Sequence, residues 1–211
     1  MRLYAHRVDP YDNGMYLLAD DRGDAILIDP SRGANEALAT IREHGLRVLE
    51  ILNTHGHWDH IFDNARMKAE TRARLAIHAA DAYRLDAATR PPATLTPALR
   101  EAPSSVAEDL IAEGSLAFLR DLDIQALHTP GHTEGSTCFY LAAEGVLFSG
   151  DVLFAGNVGR VDLPGGDASQ METSLARIAG LPPETRVFPG HGPATTIRDE
   201  LHWLRGFRFG R

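Results

Sequence analysis

Thr54-His55-Gly56-His57-Trp58-Asp59-His60 follows almost directly on an apolar stretch, Val48 to Leu52. That stretch reads as a short buried strand, and Asn53-Thr54 ends it. In extended backbone, residues i and i+2 point the same way, so His55 and His57 can hold one metal ion together. Asp59 and His60 come as the chain turns toward a helix expected over 61–72, so they can face a second site. A helical zinc-protease motif needs histidines at i and i+4. The residue at i+4 from His55 is Asp59, and from His57 it is Ile61, so that pattern is absent.

Further along, Thr129-Pro130-Gly131-His132-Thr133, Phe148-Ser149-Gly150-Asp151 and Phe188-Pro189-Gly190-His191-Gly192 have the same construction. Each sets a candidate ligand (His132, Asp151, His191) just past an apolar strand, with glycine where the backbone must turn sharply. Ligands at strand ends along one sheet edge converge in space, as when a rigid scaffold presents a site on loops.

The rest of the chain reads as strands with helices between and after them. Strands are expected over 3–8, 14–19, 25–29, 75–78, 116–119, 124–128, 138–141, 146–149 and 186–188. Helices are expected over 35–44, ending at Gly45, and over 169–179 and 196–204. Residues 86–110, broken by Pro91, Pro92, Pro97 and Pro103, read as an irregular loop of a length often used as a lid. The pattern is α/β, with sheets covered by helices in a single domain over 1–211.

Composition narrows the function. With 29 acidic against 21 basic residues the net charge is -8, so no basic field exists for general nucleic-acid binding. Arg198, Arg205, Arg208 and Arg211 gather near the C-terminus and read as a solvated helix face or tail. No run approaches the roughly 18 apolar residues that span a bilayer, so no membrane partner is expected. Residues 1–7 lack the apolar core of a signal peptide, and the lone cysteine, Cys138, forms no intrachain disulfide; both make a cytoplasmic location the expectation. Ten histidines are many for such a chain, and histidine is the commonest metal ligand. His6, His44, His78, His128 and His202 fall outside the cluster and read as ordinary surface or core histidines, with His128, just before the His132 loop, the one candidate for a supporting role.

Taken together, these motifs resemble the metallo-β-lactamase superfamily, in order and over nearly the whole chain. The resemblance implies a four-layer αβ/βα sandwich with metals in a cleft at one edge of two sheets. It implies one metal on His55, His57 and His132, another on Asp59, His60 and His191, and Asp151 bridging them. Two Zn2+ ions are expected, and Fe or Mn also suits imidazole and carboxylate ligands. The family's true β-lactamases carry a cysteine ligand where this chain has Asp151, which argues against antibiotic hydrolysis; Cys138 lies within a strand and reads as a small buried hydrophobe.

The stretch Val158-Gly159-Arg160-Val161-Asp162-Leu163-Pro164-Gly165-Gly166-Asp167 resembles hydroxyacylglutathione hydrolases (glyoxalase II) and persulfide dioxygenases. The closing stretch from Leu181 to Pro193 is similar to short bacterial glyoxalase II-like proteins, and too few residues follow Pro193 for the helical glutathione-binding domain of full-length glyoxalase II, so that domain is not expected here. The expected reaction is hydrolysis of a small-molecule thioester such as S-lactoylglutathione. Water between two cations loses a proton near neutral pH and attacks the carbonyl. The thiolate, with a solution pKa near ~8.5, leaves without a general acid. Asp59 is the candidate catalytic residue that orients the nucleophile. Arg160 and Asp162 either hold an anionic substrate or form a local ion pair. Asp29 either fixes the tautomer of a ligand histidine or caps the following helix or turn. The competing reaction is persulfide dioxygenation at one iron on His55, His132 and Asp151; lactonases share the ligand set.

Overall fold

The computed structural model describes residues 1–88, 103–119 and 122–210. The N-terminal half builds one six-stranded sheet in chain order from β1 (Arg2–Val8), β2 (Asn13–Ala19), β3 (Asp24–Ile28), β4 (Arg47–Leu52), β5 (Arg74–His78) and β6 (Asp109–Ile111). Its β1–β3 strands are antiparallel, and β3 to β6 are parallel. Parallel neighbours need a crossover. Helix α1 (Ala34–His44) supplies it between β3 and β4, ending as expected at Gly45 in the left-handed conformation.

The second half builds another six-stranded sheet from β7 (Gly114–Leu116), β8 (Ile124–His128), β9 (Thr137–Leu141), β10 (Val146–Gly150), β13 (Arg186–Pro189) and β14 (Thr195–Thr196), in the spatial order β14-β13-β10-β9-β8-β7. A small hairpin of β11 (Leu153–Phe154) and β12 (Asn157–Val158) follows β10. Helices α4 (Ala168–Ile178) and α5 (Ile197–Leu204) pack on the outer face of this sheet.

Strand periodicity explains the layering. On β2, Met15, Leu17 and Ala19 face a core shared with α1, while Tyr16 and Leu18 face the other sheet. On β9, Phe139 and Leu141 join that inter-sheet core, while Cys138 and Tyr140 face α4 and α5. The outcome is helix, sheet, sheet, helix, which is the four-layer sandwich expected. Both inner strands are buried on each face and lack polar alternation for that reason.

Three local expectations change. The helix expected over 61–72 is broken at Phe62-Asp63 into α2 (Trp58–Ile61) and α3 (Asn64–Thr71), because the Asp63 carboxylate turns away to accept the backbone N–H of Ala34 at the start of α1. Asp59 and His60 therefore lie on a helical turn rather than on a loop leading into one. The strand expected over 116–119 sits earlier, at β7, and Leu119 is buried beyond its end. Residues 89–102, most of the expected irregular loop, lie outside the described residues; its last part enters β6 as an edge strand. Among the described residues no helix is long and apolar enough to cross a membrane.

Candidate metal centre

The four loops that follow β4, β8, β10 and β13 meet at one edge of the sandwich. His55, His57 and His132 present nitrogens within 4.8 Å of one another, and so do the ligand atoms of Asp59, His60 and His191. Asp151 lies between the groups: its Oδ2 is 3.3 Å from His132 Nε2 and 3.5 Å from His191 Nε2, and its Oδ1 is 3.4 Å from His60 Nε2. All seven residues singled out by motif are thus brought together, and each is buried or nearly so.

The imidazoles are pinned from behind. His132 donates Nδ1–H to the carbonyl of Arg160 at 2.7 Å, and His191 donates Nδ1–H to the carbonyl of Tyr11 at 2.8 Å. A carbonyl can only accept, so in each neutral ring Nε2 carries a lone pair. His60 gives its Nδ1–H to Asp29 Oδ2 at 2.9 Å. The Thr54 hydroxyl donates to the same Asp29 oxygen at 2.6 Å, so Thr54 Oγ1 is left to accept from His55 Nδ1 at 3.1 Å. Four rings therefore aim Nε2 lone pairs inward.

That arrangement fits a cation and nothing apolar. His60 Nε2 and His191 Nε2 are 3.3 Å apart, and two lone pairs at that distance repel unless a proton or a metal lies between them. His57 Nδ1 faces His132 Nε2 at 2.8 Å in the other group. Buried His55 Nε2 and Asp151 Oδ1 have no hydrogen-bond partner, which is costly for polar atoms away from water. Imidazole and carboxylate donors of this mix suit zinc, iron or manganese.

The electrostatics agree. Burial holds His55 and His57 well below the usual imidazole pKa, and neighbouring imidazoles lower them further. Burial would also lower His60 and His191, but the Asp151 and Asp59 carboxylates overcome it and push them up to about 9 and about 11. Burial would raise Asp59 and Asp151, yet the same imidazoles hold both below the usual carboxylate range, Asp151 at about 2. Without a metal this cavity draws in protons; its carboxylates seek positive charge.

Two glycines make the approach possible. A Cβ on Gly190 would lie 2.1 Å from Asp151 Oδ1 and 2.8 Å from His60 Cε1. Gly150 adopts φ 48° immediately before Asp151, and a Cβ there would meet the Thr54 side chain.

The Asp29 side chain contacts His60 directly and His55 through the Thr54 hydroxyl, rather than capping the following helix or turn. It does so from φ 47°, a conformation that non-glycine residues rarely hold. The Arg160 and Asp162 side chains pair with each other in solvent, at 2.6 and 2.7 Å, while the Arg160 backbone carbonyl orients His132. His128 supports no ligand directly; it stacks on His78 at 4.1 Å and its Nε2 donates to the Glu134 carbonyl. Trp58 stands at the rim, edge-on to Tyr11. Cys138 is buried among the residues that meet α4, with its thiol pushed up to about 12 by burial.

Residues not anticipated also build the site. Asp81, fully buried, accepts the Gly56 N–H at 2.7 Å, the Gly135 N–H at 2.8 Å and the Thr133 hydroxyl at 2.7 Å. It thereby ties the His55–His57 loop to the His132 loop. Arg84 packs beside Gly56, 3.3 Å from Asp81 and 2.9 Å from the Pro164 carbonyl. Asn13 donates its amide to Asp59 Oδ2 at 3.1 Å. Asp12-Asn13-Gly14 reads as a turn, and no spacing signal connects it, or Asp81, to the histidines.

Comparisons with known proteins agree with this construction. The Metallo-beta-lactamase superfamily profile matches residues 10–191, which takes in every residue of the cluster. BLEG-1, described as a B3 metallo-beta-lactamase, shares 32% identity and a TM-score of 0.85 over 95% of this chain and 97% of its own. TTHA1623, solved in a di-iron-bound form, shares 36% identity and a TM-score of 0.79 over 93% of this chain and 96% of its own. The hydroxyacylglutathione hydrolase of Rhodospirillum rubrum is 34% identical over 85% of this chain, which spans 62% of that relative's length. With the sandwich, the strand-end loops and the converging imidazoles in place, this chain belongs to the metallo-beta-lactamase superfamily.

Proposed function

We propose that the chain is a metal-dependent thioester hydrolase that holds two cations, with S-lactoylglutathione as the representative substrate. The observation that carries this reading is the shared carboxylate: Asp151 Oδ2 is within 3.5 Å of an imidazole from each ligand group. His55, His57 and His132 would hold one cation, and Asp59, His60 and His191 the other. When bound, the cations supply Lewis acidity and lower the pKa of water toward about 7.

The protein's own groups provide order. Asp29, Thr54, Arg160 C=O and Tyr11 C=O keep the ligand rings in one tautomer. Asp59, 16% exposed, is the carboxylate that orients the attacking water. The departing thiolate is a good leaving group and needs no donor beside it. Arg160 would meet an anionic substrate by exchanging its partner Asp162, both being exposed. The likeness to the Rhodospirillum rubrum hydrolase supports the thioester class, and the di-iron form of TTHA1623 supports iron beside zinc. The convergence of Asp59, His60 and His191 supplies the second site this reading needs, whereas a single iron on His55, His132 and Asp151 would leave those three residues without a cation.

The test is elemental analysis of protein made without added metal, combined with hydrolysis of S-lactoylglutathione before and after chelation. Two metals per chain and chelator-sensitive hydrolysis are expected. Full activity after verified metal removal overturns the reading. One iron with oxygen uptake on glutathione persulfide replaces it with dioxygenation, and preferential turnover of a β-lactam replaces the substrate class.

A further inference from the structure

The turn between β1 and β2, with the first two residues of β2, touches the metal centre on one side only. Tyr11 C=O accepts the Nδ1–H of His191, Asp12 C=O accepts the N–H of Gly192 at 3.2 Å, and Gly14 donates its N–H to the Gly190 carbonyl at 2.8 Å. Asn13 and His191 form an antiparallel bridge. Asn13 itself is 2% exposed, and its amide reaches Asp59 Oδ2. That oxygen is the one facing the imidazoles, 3.3 Å from His191 Nε2 and 3.6 Å from His60 Nε2. Among the described residues, no hydrogen bond of this turn reaches His55, His57 or His132. Those ligands are held instead through Asp81, Arg160 and Thr54.

We infer that Asn13 is a positioning residue that sets occupancy of the Asp59, His60 and His191 site independently of the other, an inference resting on the two-cation reading above. The amide N–H fixes the Asp59 carboxylate rotamer and occupies one lone pair of Oδ2. A carboxylate oxygen has a second lone pair, which remains for a cation. Asparagine suits the position because a carboxylate there would repel Asp59, and an apolar side chain would leave its oxygen free to rotate away. Neighbours of this kind change metal affinity by about 10–100-fold when removed.

The experiment titrates metal-free full-length chain with zinc ion, comparing wild type with Asn13→Asp, Asn13→Ala, Asp59→Asn and the Asn13→Asp/Asp59→Asn double variant. Two equivalents are expected in wild type. In both Asn13 variants the second should weaken about 10–100-fold while the first stays within about twofold. The double variant should bind no more weakly than Asp59→Asn alone, because the Asn13 effect acts through Asp59. Asn13→Asp keeps the shape of asparagine, and thermal unfolding in chelator separates a folding defect from a site defect. Equal weakening of both equivalents, full additivity in the double variant, or two unaltered equivalents in the Asn13 variants overturns the inference while leaving the two-cation reading standing. A wild-type chain that takes up one equivalent overturns both.

Discussion

Asp29 Oδ2 accepts the Nδ1–H of His60 at 2.9 Å. The same oxygen receives the Thr54 hydroxyl, which in turn accepts from His55, so one carboxylate oxygen fixes a ring in each ligand group. Asp29→Asn places an N–H donor among donors or moves the acceptor away from one of them. Both metal equivalents should weaken, each by about 10–100-fold, in contrast to the one-sided effect at Asn13. A chelator-competition titration checks this; loss confined to one equivalent would contradict it.

Gly190→Ala should lower turnover about 100-fold with little effect on folding. The new Cβ would fall 2.1 Å from Asp151 Oδ1, so the carboxylate must move. Displacement of about 1 Å at a reacting centre can lower rates about 100-fold. Turnover measured beside a circular dichroism spectrum separates the effects, since a wild-type spectrum with a hundredfold lower kcat is the expected pair.

Metal binding should release protons. In the metal-free cavity the Asp151 and Asp59 carboxylates hold the His60–His191 pair above the usual imidazole pKa, and the two Nε2 atoms, 3.3 Å apart, share a proton at pH 7.5. A metal takes only the unprotonated nitrogen, so affinity rises as pH rises through the neutral range. Calorimetric titration in buffers of differing ionisation enthalpy reads the released protons directly. Zero release at pH 7.5 would show that the rings are already neutral.

Glu50, on β4 and 2% exposed, has its carboxyl pushed up to about 8 by burial, with the nearby Asp109 charge adding to it. The folded chain then keeps a proton that the unfolded chain releases above an ordinary glutamate pKa near 4.3. Stability from this group is therefore lost as pH rises from about 4.5 to about 8. Glu50→Gln should flatten that slope and stabilise the protein at pH 8 by on the order of 2 kcal/mol. Denaturant unfolding of both proteins at pH 6 and pH 8.5 gives the comparison.

The fold and the convergence of the seven candidate ligands were legible because they are written in local pattern. Val48 to Leu52 looks like a buried strand, and His55-Gly56-His57 follows it with spacing that only a few backbone shapes turn to use. Gly45 marks the end of α1 by the left-handed conformation it adopts. Supports that act across the chain were not legible. Asn13 meets Asp59 from 46 positions away, and Asp81 reaches Thr133 from 52. Neither residue type nor spacing carries such a contact; only the stacking of two sheets creates it. The break at Phe62-Asp63 is of the same kind, since it depends on Asp63 meeting Ala34. At Arg160 the side chain pairs with Asp162 in solvent, and it is the backbone carbonyl that meets His132, a contact no residue type encodes.

Each ligand group mixes donors from both halves of the sandwich: His55 and His57 with His132, and Asp59 and His60 with His191. A bound cation therefore acts as a clasp between halves that are otherwise joined at this edge by loops and hydrogen bonds. Its binding free energy becomes cohesion between the sheets. Chelation should then do more than silence the chemistry. It should let the ligand-bearing edge part while the opposite end stays shut, so the amide protons of residues 54–60 and 129–133 would exchange faster than those of β2 and β9, whose protection needs no metal.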